Sequence, residues 1–285
     1  MMDILIHLYH HDLWEEINRY ILACKLPFRL FINLTDNQNP KLITNKILHH
    51  HPTAKIIISP NQGRDIGGYL CLLETWMQEK DYGDILFLGH TKKSCAAWRF
   101  NLFNNILSKS ILINNLFLDE NIGMIGHAPY VLPNYSYLGY MGTETEITRY
   151  GQEFNLNTEN FLFVAGTIFC VRASIFREFF NKYSPIKIAS ELKSPHTIER
   201  IFGIIAGQHH KVISVYDNTI FDEQFYLQNN LDVKDAIKHH AWVCSYYHFI
   251  TNGIKERRKP FQENTAINFA LQSAIKQHKK HRYFA

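Results

Sequence analysis

The stretch Lys55-Ile56-Ile57-Ile58-Ser59-Pro60-Asn61-Gln62-Gly63-Arg64-Asp65-Ile66-Gly67-Gly68 decides the fold. A β-branched apolar run stops at a polar, glycine-rich segment, and a helical pattern from Ile66 to Met77 takes over. The same alternation stands on both sides of it. Upstream, Ile4 to Tyr9 is a short apolar run, and Asp12 is placed to cap a helix carrying Leu13, Ile17, Tyr20 and Ile21. Phe28 to Leu34 reads as a second strand, and Pro40 opens a helix with Leu42, Ile43, Ile47 and Leu48 on one face. Downstream, Ile85 to Leu88 is a fourth strand. Three strand–helix repeats predict an α/β fold, a mostly parallel sheet flanked by helices.

Further along, Trp98 to Leu107 is helical, Gly123 to Gly126 belongs to a strand, and Phe161 to Val171 reads as one long buried strand. Residues 128–145, rich in Tyr, Pro and Gly, read as a long loop of the kind that covers a site. Pro195, with Ser194 as cap, begins a helix to about Ala206, and Lys211 to Val215 is a last strand. Residues 266–282 form a basic amphipathic helical pattern. With no repeat and no long linker, the organisation expected is one domain over 1–250 and a helical extension over 251–285.

Composition removes several function classes. Of 285 residues, 46% are hydrophobic and 20% charged, which excludes a disordered chain. The five cysteines are scattered and contain no Cys-x-x-Cys pair, which argues for a reducing, cytoplasmic setting and against a disulfide framework or structural zinc. The apolar run Phe161 to Val171 is about half of the ~20 residues that span a bilayer, and Asp3 interrupts any signal-like segment. From Lys255 onward the chain carries a net charge of +6, whereas the residues before it carry −2. Basicity confined to a tail excludes a nucleic-acid-binding surface as the main business of the domain.

In open parallel sheets, ligands bind beyond the carboxyl ends of the strands. Two loops there are unusually polar. In Asn61 to Gly68, Asp65 is placed to cap the helix, Gly67 and Gly68 leave its first turn bare for an anion, and Arg64 offers a forked donor. The other reading is a tight turn whose glycines only let the helix pack on the sheet. Gly89-His90-Thr91-Lys92-Lys93-Ser94 brings three cationic or ionisable side chains to a strand end, which suits a diphosphate; a solvated basic turn is the alternative. On the helix after Pro195, His196, Glu199, Arg200 and Gly203 share a face, with Ile198, Ile201, Phe202 and Ile205 on the buried sides. Glu199 is there either a general base or an ion-pair strut. Paired histidines such as His10-His11 and His209-His210 point apart, and no His-Glu-x-x-His or Cys/His cluster occurs, so no metal site is expected.

These segments, in this order, resemble the rhamnan synthesis F family of bacterial polysaccharide glycosyltransferases. The resemblance runs over about residues 3–250. It is carried by Ile6-His7-Leu8-Tyr9, the Asn61–Gly68 loop, His90-Thr91-Lys92-Lys93-Ser94 with Trp98, Gly123-Met124-Ile125-Gly126, Val164 to Ala173, and His196 to Gly203. It implies a GT-A-like, Rossmann-type fold that moves a sugar, rhamnose or a relative, from a nucleotide-sugar donor to a growing cell-surface polysaccharide or lipopolysaccharide. The place of the Asp-x-Asp metal motif of that fold is taken by Gly89-His90-Thr91-Lys92-Lys93, which implies that these cations stand in for a metal and that no cofactor is needed, while the resemblance of Glu199 to the late-helix acid of related enzymes implies inversion.

The resemblance also distributes roles. Asn61, Gly63, Arg64, Asp65, Gly67, Gly68, His90, Lys92, Lys93 and Arg200 fall to the donor, with Tyr9 and Asp36 flanking its base. Gly166 and Thr167 border the acceptor or sugar pocket. Glu199 is the general base, oriented by His196. The implied partners are a nucleotide sugar and a glycan or lipid-linked glycan acceptor. The basic tail would meet the inner membrane surface from the cytoplasm. The alternative is a non-catalytic subunit that binds a nucleotide sugar or glycan for a partner transferase.

Overall fold

The computed structural model describes residues 1–36, 39–93, 96–136, 139–191, 193–215, 223–239 and 245–260. Strand β1 is Met2–Leu8, followed by a 3-10 turn at His11–Leu13 and helix α1 at Trp14–Leu22. Next come β2 (Phe28–Thr35), α2 (Pro40–His50), β3 (Lys55–Ser59), α3 (Arg64–Met77) and β4 (Ile85–His90). Helices α4 (Ala96–Leu107) and α5 (Ser110–Leu116) lead to β5 (Ile122–His127) and the short β6 (Val131–Pro133). Helix α6 (Glu144–Phe154), β7 (Leu162–Val164), β8 (Phe169–Arg172), α7 (Ala173–Lys182), α8 (Pro185–Ser190), α9 (Pro195–Gly207) and β9 (Lys211–Val215) complete this part.

Seven strands form one sheet in the order β3-β2-β1-β4-β8-β5-β9. The pairs β1–β2, β1–β4, β2–β3 and β5–β9 are parallel, and β8 runs antiparallel between β4 and β5. The α/β, mostly parallel architecture expected from the repeats is therefore the one observed. Its inner strands are apolar on both faces because helices cover both: Ile4, Leu5, Ile6, Leu86, Phe87 and Leu88 are wholly buried. The one acid in that core, Asp3, is neutralised where it lies. It accepts two bonds from Arg29 at 2.8 and 2.7 Å and one each from Trp76 Nε1 and the Gly83 amide, both at 2.8 Å.

Several local expectations are corrected. Asp12 caps no helix; it lies in the 3-10 turn and pairs with Lys93 at 2.9 Å. On α2 only Ile43 and Ile47 are buried, because β3 is an edge strand with little sheet beyond it, and Leu42 and Leu48 stay exposed. The run Phe161 to Val171 is not one strand. It breaks at Gly166 and Thr167 into β7, which pairs with β6, and β8, which enters the main sheet. The loop at 128–145 contains β6 and the start of α6, an amphipathic helix burying Ile147, Tyr150 and Phe154. Ser194 occupies the cap position of α9, but its side chain makes no capping bond.

The chain divides into two compact units after Val215, earlier than the boundary at residue 250 expected from the sequence. The second unit contains α10 (Glu223–Asn229), α11 (Leu231–Lys238) and α12 (Ser245–His248), continued by a π turn at Phe249–Gly253. Tyr226, Val233 and Phe249 form its core, and Tyr226 Oη lies 2.9 Å from His248 Nδ1. The basic helical pattern at 266–282 lies outside the described residues. Among the described residues, no helix is long and apolar enough to cross a membrane.

Candidate functional site

Toward their carboxyl ends β1, β2, β3 and β4 carry the polar residues His7, Asn33, Ser59 and His90. The register explains why they meet, since His7 is opposite Asn33 on one side and His90 on the other. His7 Nδ1 lies 3.0 Å from Asn33 Oδ1, and Asn33 Nδ2 donates to Ser59 Oγ at 2.8 Å. Burial, with His90 beside it, pushes the His7 imidazole down to about 4. This buried row is the floor on which the two loops rest.

Helix α3 begins two residues earlier than expected. Gly63, at φ 75°, holds the cap position, Arg64 follows with φ 55°, and Asp65 sits inside the first turn. Asp65 is therefore not the cap. Its carboxylate turns inward, with Oδ2 3.5 Å from His90 Nε2. The two glycines act by close packing rather than as a bare anion cradle. A Cβ on Gly67 would lie 1.7 Å from the Gln62 carbonyl oxygen, and one on Gly68 would lie 2.1 Å from His7 Nδ1. Arg64 and Asn61 remain exposed, as does Asp36 at the end of β2, and Tyr9 is half-buried beside His10.

The loop after β4 splits its cations. His90 is buried, with Nε2 2.9 Å from the Gly166 carbonyl and Nδ1 3.2 Å from that of Thr91. Lys92 is half-buried, and burial pushes its ammonium down while Asp65 and Glu199 pull it back up. Lys93 is exposed and held by Asp12. Arg99 of α4 fixes this loop from behind. It donates to the Lys92 carbonyl at 2.6 Å and, in bidentate fashion, to Glu16 of α1 at 3.0 and 2.8 Å.

Helix α9 supplies the other wall. Its Ile198, Ile201, Phe202 and Ile205 are buried as the spacing predicts. Glu199 Oε2 accepts from Thr167 Oγ1 at 3.1 Å, and Oε1 accepts from Arg200 at 3.1 Å. Burial raises the Glu199 carboxyl above its usual range; Arg200 and Thr167 oppose this, and nearby Asp65 adds to it. Arg200 is itself buried. Its Nε donates to the Gly139 carbonyl at 2.7 Å, its Nη1 to that of His196 at 3.1 Å, and the guanidinium lies 4.2 Å over the Phe163 ring. So placed, Arg200 ties Gly139 to α9. His196 is half-buried one turn before it.

Asp65, His90, Lys92, Thr167 and Glu199 are therefore brought together, while Asp36, Asn61, Arg64 and Lys93 are exposed and Tyr9 is half-buried beside His10. Sequence reasoning missed His7, Asn33, Ser59, Tyr69 and Arg99. The first three had a signal, a polar residue ending each apolar strand; Tyr69 and Arg99 had none. Among the described residues, no group of three or more His, Cys, Asp or Glu is arranged to hold a metal.

The family model for rhamnan synthesis protein F matches residues 2–211, most of the chain and all of the elements that build this cluster. The chain belongs to the rhamnan synthesis protein F family. No curated protein matches this family member significantly. Among solved structures it is similar to S. aureus TarS 1–349, with 11% identity, a TM-score of 0.45, and 88% of this chain and 72% of that chain covered. The complex of the same protein with UDP-GlcNAc aligns with 11% identity and a TM-score of 0.43, covering 90% of this chain and 76% of that one.

Proposed function

We propose that this rhamnan synthesis F protein is a glycosyltransferase that transfers rhamnose or a related sugar from a nucleotide sugar to a growing cell-surface polysaccharide. The observation that carries the reading is a carboxylate of raised basicity, Glu199, sharing one cluster with the cationic Lys92 and with His90 at the carboxyl ends of the parallel strands. In a single displacement, the acceptor hydroxyl oxygen bonds to the anomeric carbon as the bond to the diphosphate oxygen breaks. The hydroxyl proton passes to Glu199, and the anomeric configuration inverts. Lys92, His90 and the outer Lys93 take the charge of the departing diphosphate, the part a divalent cation plays elsewhere. Asp65 and the Asn61–Arg64 segment meet the donor, and Gly166 borders the sugar.

Incubation of the purified full chain with a panel of nucleotide sugars and glycan acceptors tests this. Donor-dependent release of a nucleoside diphosphate is expected, and no release with any donor overturns it. The second reading, a non-catalytic glycan- or nucleotide-sugar-binding subunit, is favoured by one observation: both Glu199 oxygens already have partners. Donor binding by thermal shift without turnover would support that reading. We also propose that residues 266–282 hold the protein to the inner face of the bacterial inner membrane. Truncation before Ala266 is expected to abolish binding to anionic vesicles, and equal binding with and without the tail overturns it.

A further inference from the structure

The turn between β7 and β8 carries the least expected backbone in the cluster. Thr167 donates its amide to the Val164 carbonyl at 3.1 Å, and Gly166 has φ 85°, the pattern of a type II turn with glycine in its third position. Thr167 then has φ 55° as well. Among the described non-glycine residues with positive φ, it alone is β-branched. A β-branched side chain is disfavoured there by its own branch, so the conformation persists only where its surroundings impose it.

Those surroundings are specific. Tyr69, wholly buried on α3, donates its hydroxyl to the Thr167 carbonyl at 2.7 Å, and its ring packs edge-on against His90 at 5.9 Å. His90 holds the preceding carbonyl, that of Gly166. The Thr167 hydroxyl then reaches Glu199. Because side-chain direction at a chiral Cα is tied to φ, relaxing Thr167 to an ordinary β conformation would swing its hydroxyl off the carboxylate.

We propose that Tyr69 is a positioning residue: through the Thr167 carbonyl it keeps Thr167 left-handed and so keeps the Thr167 hydroxyl on Glu199. Its catalytic consequence rests on the reading of Glu199 as the proton acceptor; the link itself does not. The charged and titratable groups facing Glu199 are Arg200 and His196 of its own helix, Asp65 and Tyr69 of α3, and Lys92 after β4.

The test is Tyr69→Phe in the full chain, read by 13C NMR titration of carboxyl-labelled glutamate, with the Glu199 signal assigned through Glu199→Gln. Weakening a hydrogen bond to the ionised carboxylate moves its titration upward, so an upward shift is expected. Because the carboxylate also loses the hydroxyl that orients it, kcat is expected to fall about three- to tenfold, with donor KM unchanged. Thr167→Val should produce the larger shift, Thr167→Ser should restore the parental titration, and Tyr69→Phe should add nothing in the Thr167→Val background. An unmoved Glu199 titration in Tyr69→Phe overturns the proposal, as does Thr167→Val behaving like Thr167→Ser. If the parent turns over no nucleotide sugar, the enzymatic reading fails while the NMR titration still decides the clamp.

Discussion

The loop after β3 and the turn after β7 end at the same cluster, and they reach it by opposite routes. The first follows composition: Gly63 takes the left-handed cap position, and Gly67 and Gly68 let α3 sit against Gln62 and His7 at distances no Cβ allows. The second follows composition only as far as Gly166, and goes against it at Thr167. Ala165 and Thr167 flank a single glycine in an apolar run, and the chain is held there by Tyr69 and His90 on its carbonyls and by the Thr167 hydroxyl donating to Glu199. A turn made by its own residues is stable wherever it is placed. A turn made by its neighbours can position chemistry, because it exists only when those neighbours are in place.

The sharpest way to break this comparison is at Glu199, where the imposed turn acts. If it is the base, Glu199→Gln should lower kcat by about 10²–10⁴-fold with donor affinity and melting temperature nearly unchanged. The acid limb of the pH–rate profile, expected above the usual glutamate range because burial raises this carboxyl, should vanish. A destabilised but active variant would make Glu199 only the strut of Arg200.

The same contrast explains what was legible in the sequence. Strands β1 to β5 and β9, with helices α2, α3, α4 and α9, could be read because apolar runs and helical spacing are properties of the segment itself. The Asn61–Gly68 and His90–Lys93 loops could be read because polar residues at strand ends have few other reasons to be there. The break at Gly166–Thr167 could not. Gly166 does carry the positive φ of the turn, but the left-handed Thr167 after it is held by the Tyr69 hydroxyl, distant in sequence and on another element, and nothing between Phe161 and Val171 encodes that contact. The burial of Arg200 was hidden for a related reason: spacing put it on a face with Glu199, but the Gly139 carbonyl that captures it comes from a segment distant in sequence.

A second test strikes the parallel half, where His7 is buried and neutral. With its folded value near 4 and an ordinary value of 6.5, the unfolded chain takes up a proton that the folded chain refuses. Its effect on stability is therefore absent above about pH 6.5 and grows as pH falls toward 4. Urea unfolding at pH 7 and pH 4.5 should show a loss on the order of 2–3 kcal/mol from this group. His7→Gln should remove that part of the pH dependence. An unchanged pH dependence in His7→Gln would place the acid sensitivity elsewhere.

Asp65 distinguishes a ligand loop from a structural one with a smaller effect. Because it lies inside the first turn of α3 rather than at the cap, Asp65→Ala should cost about 0.3–1 kcal/mol through the helix dipole. Donor affinity should fall about tenfold, the loss of one charged contact. Asp65→Asn should recover part of the stability and none of the affinity. If Asp65→Asn binds donor like the parent, the composition-driven loop only packs the helix, and the comparison loses its functional half.

The smallest effect expected is none. Donor binding and turnover in the presence of EDTA should match the untreated protein, because the strand end proposed to face the diphosphate presents Lys92, His90 and Lys93 rather than carboxylates. The two acids of the cluster are already engaged: Asp65 lies against His90, and Glu199 is bound by Thr167 and Arg200. A divalent ion there would have to displace those partners and bear the repulsion of Lys92, whose ammonium is already pushed down by burial. Activity that disappears with chelator and returns with magnesium or manganese would show that the cations serve the fold rather than the leaving group. Lys92→Met makes the converse measurement. It should weaken donor binding at every metal concentration, whereas rescue by added magnesium would return the role to a metal.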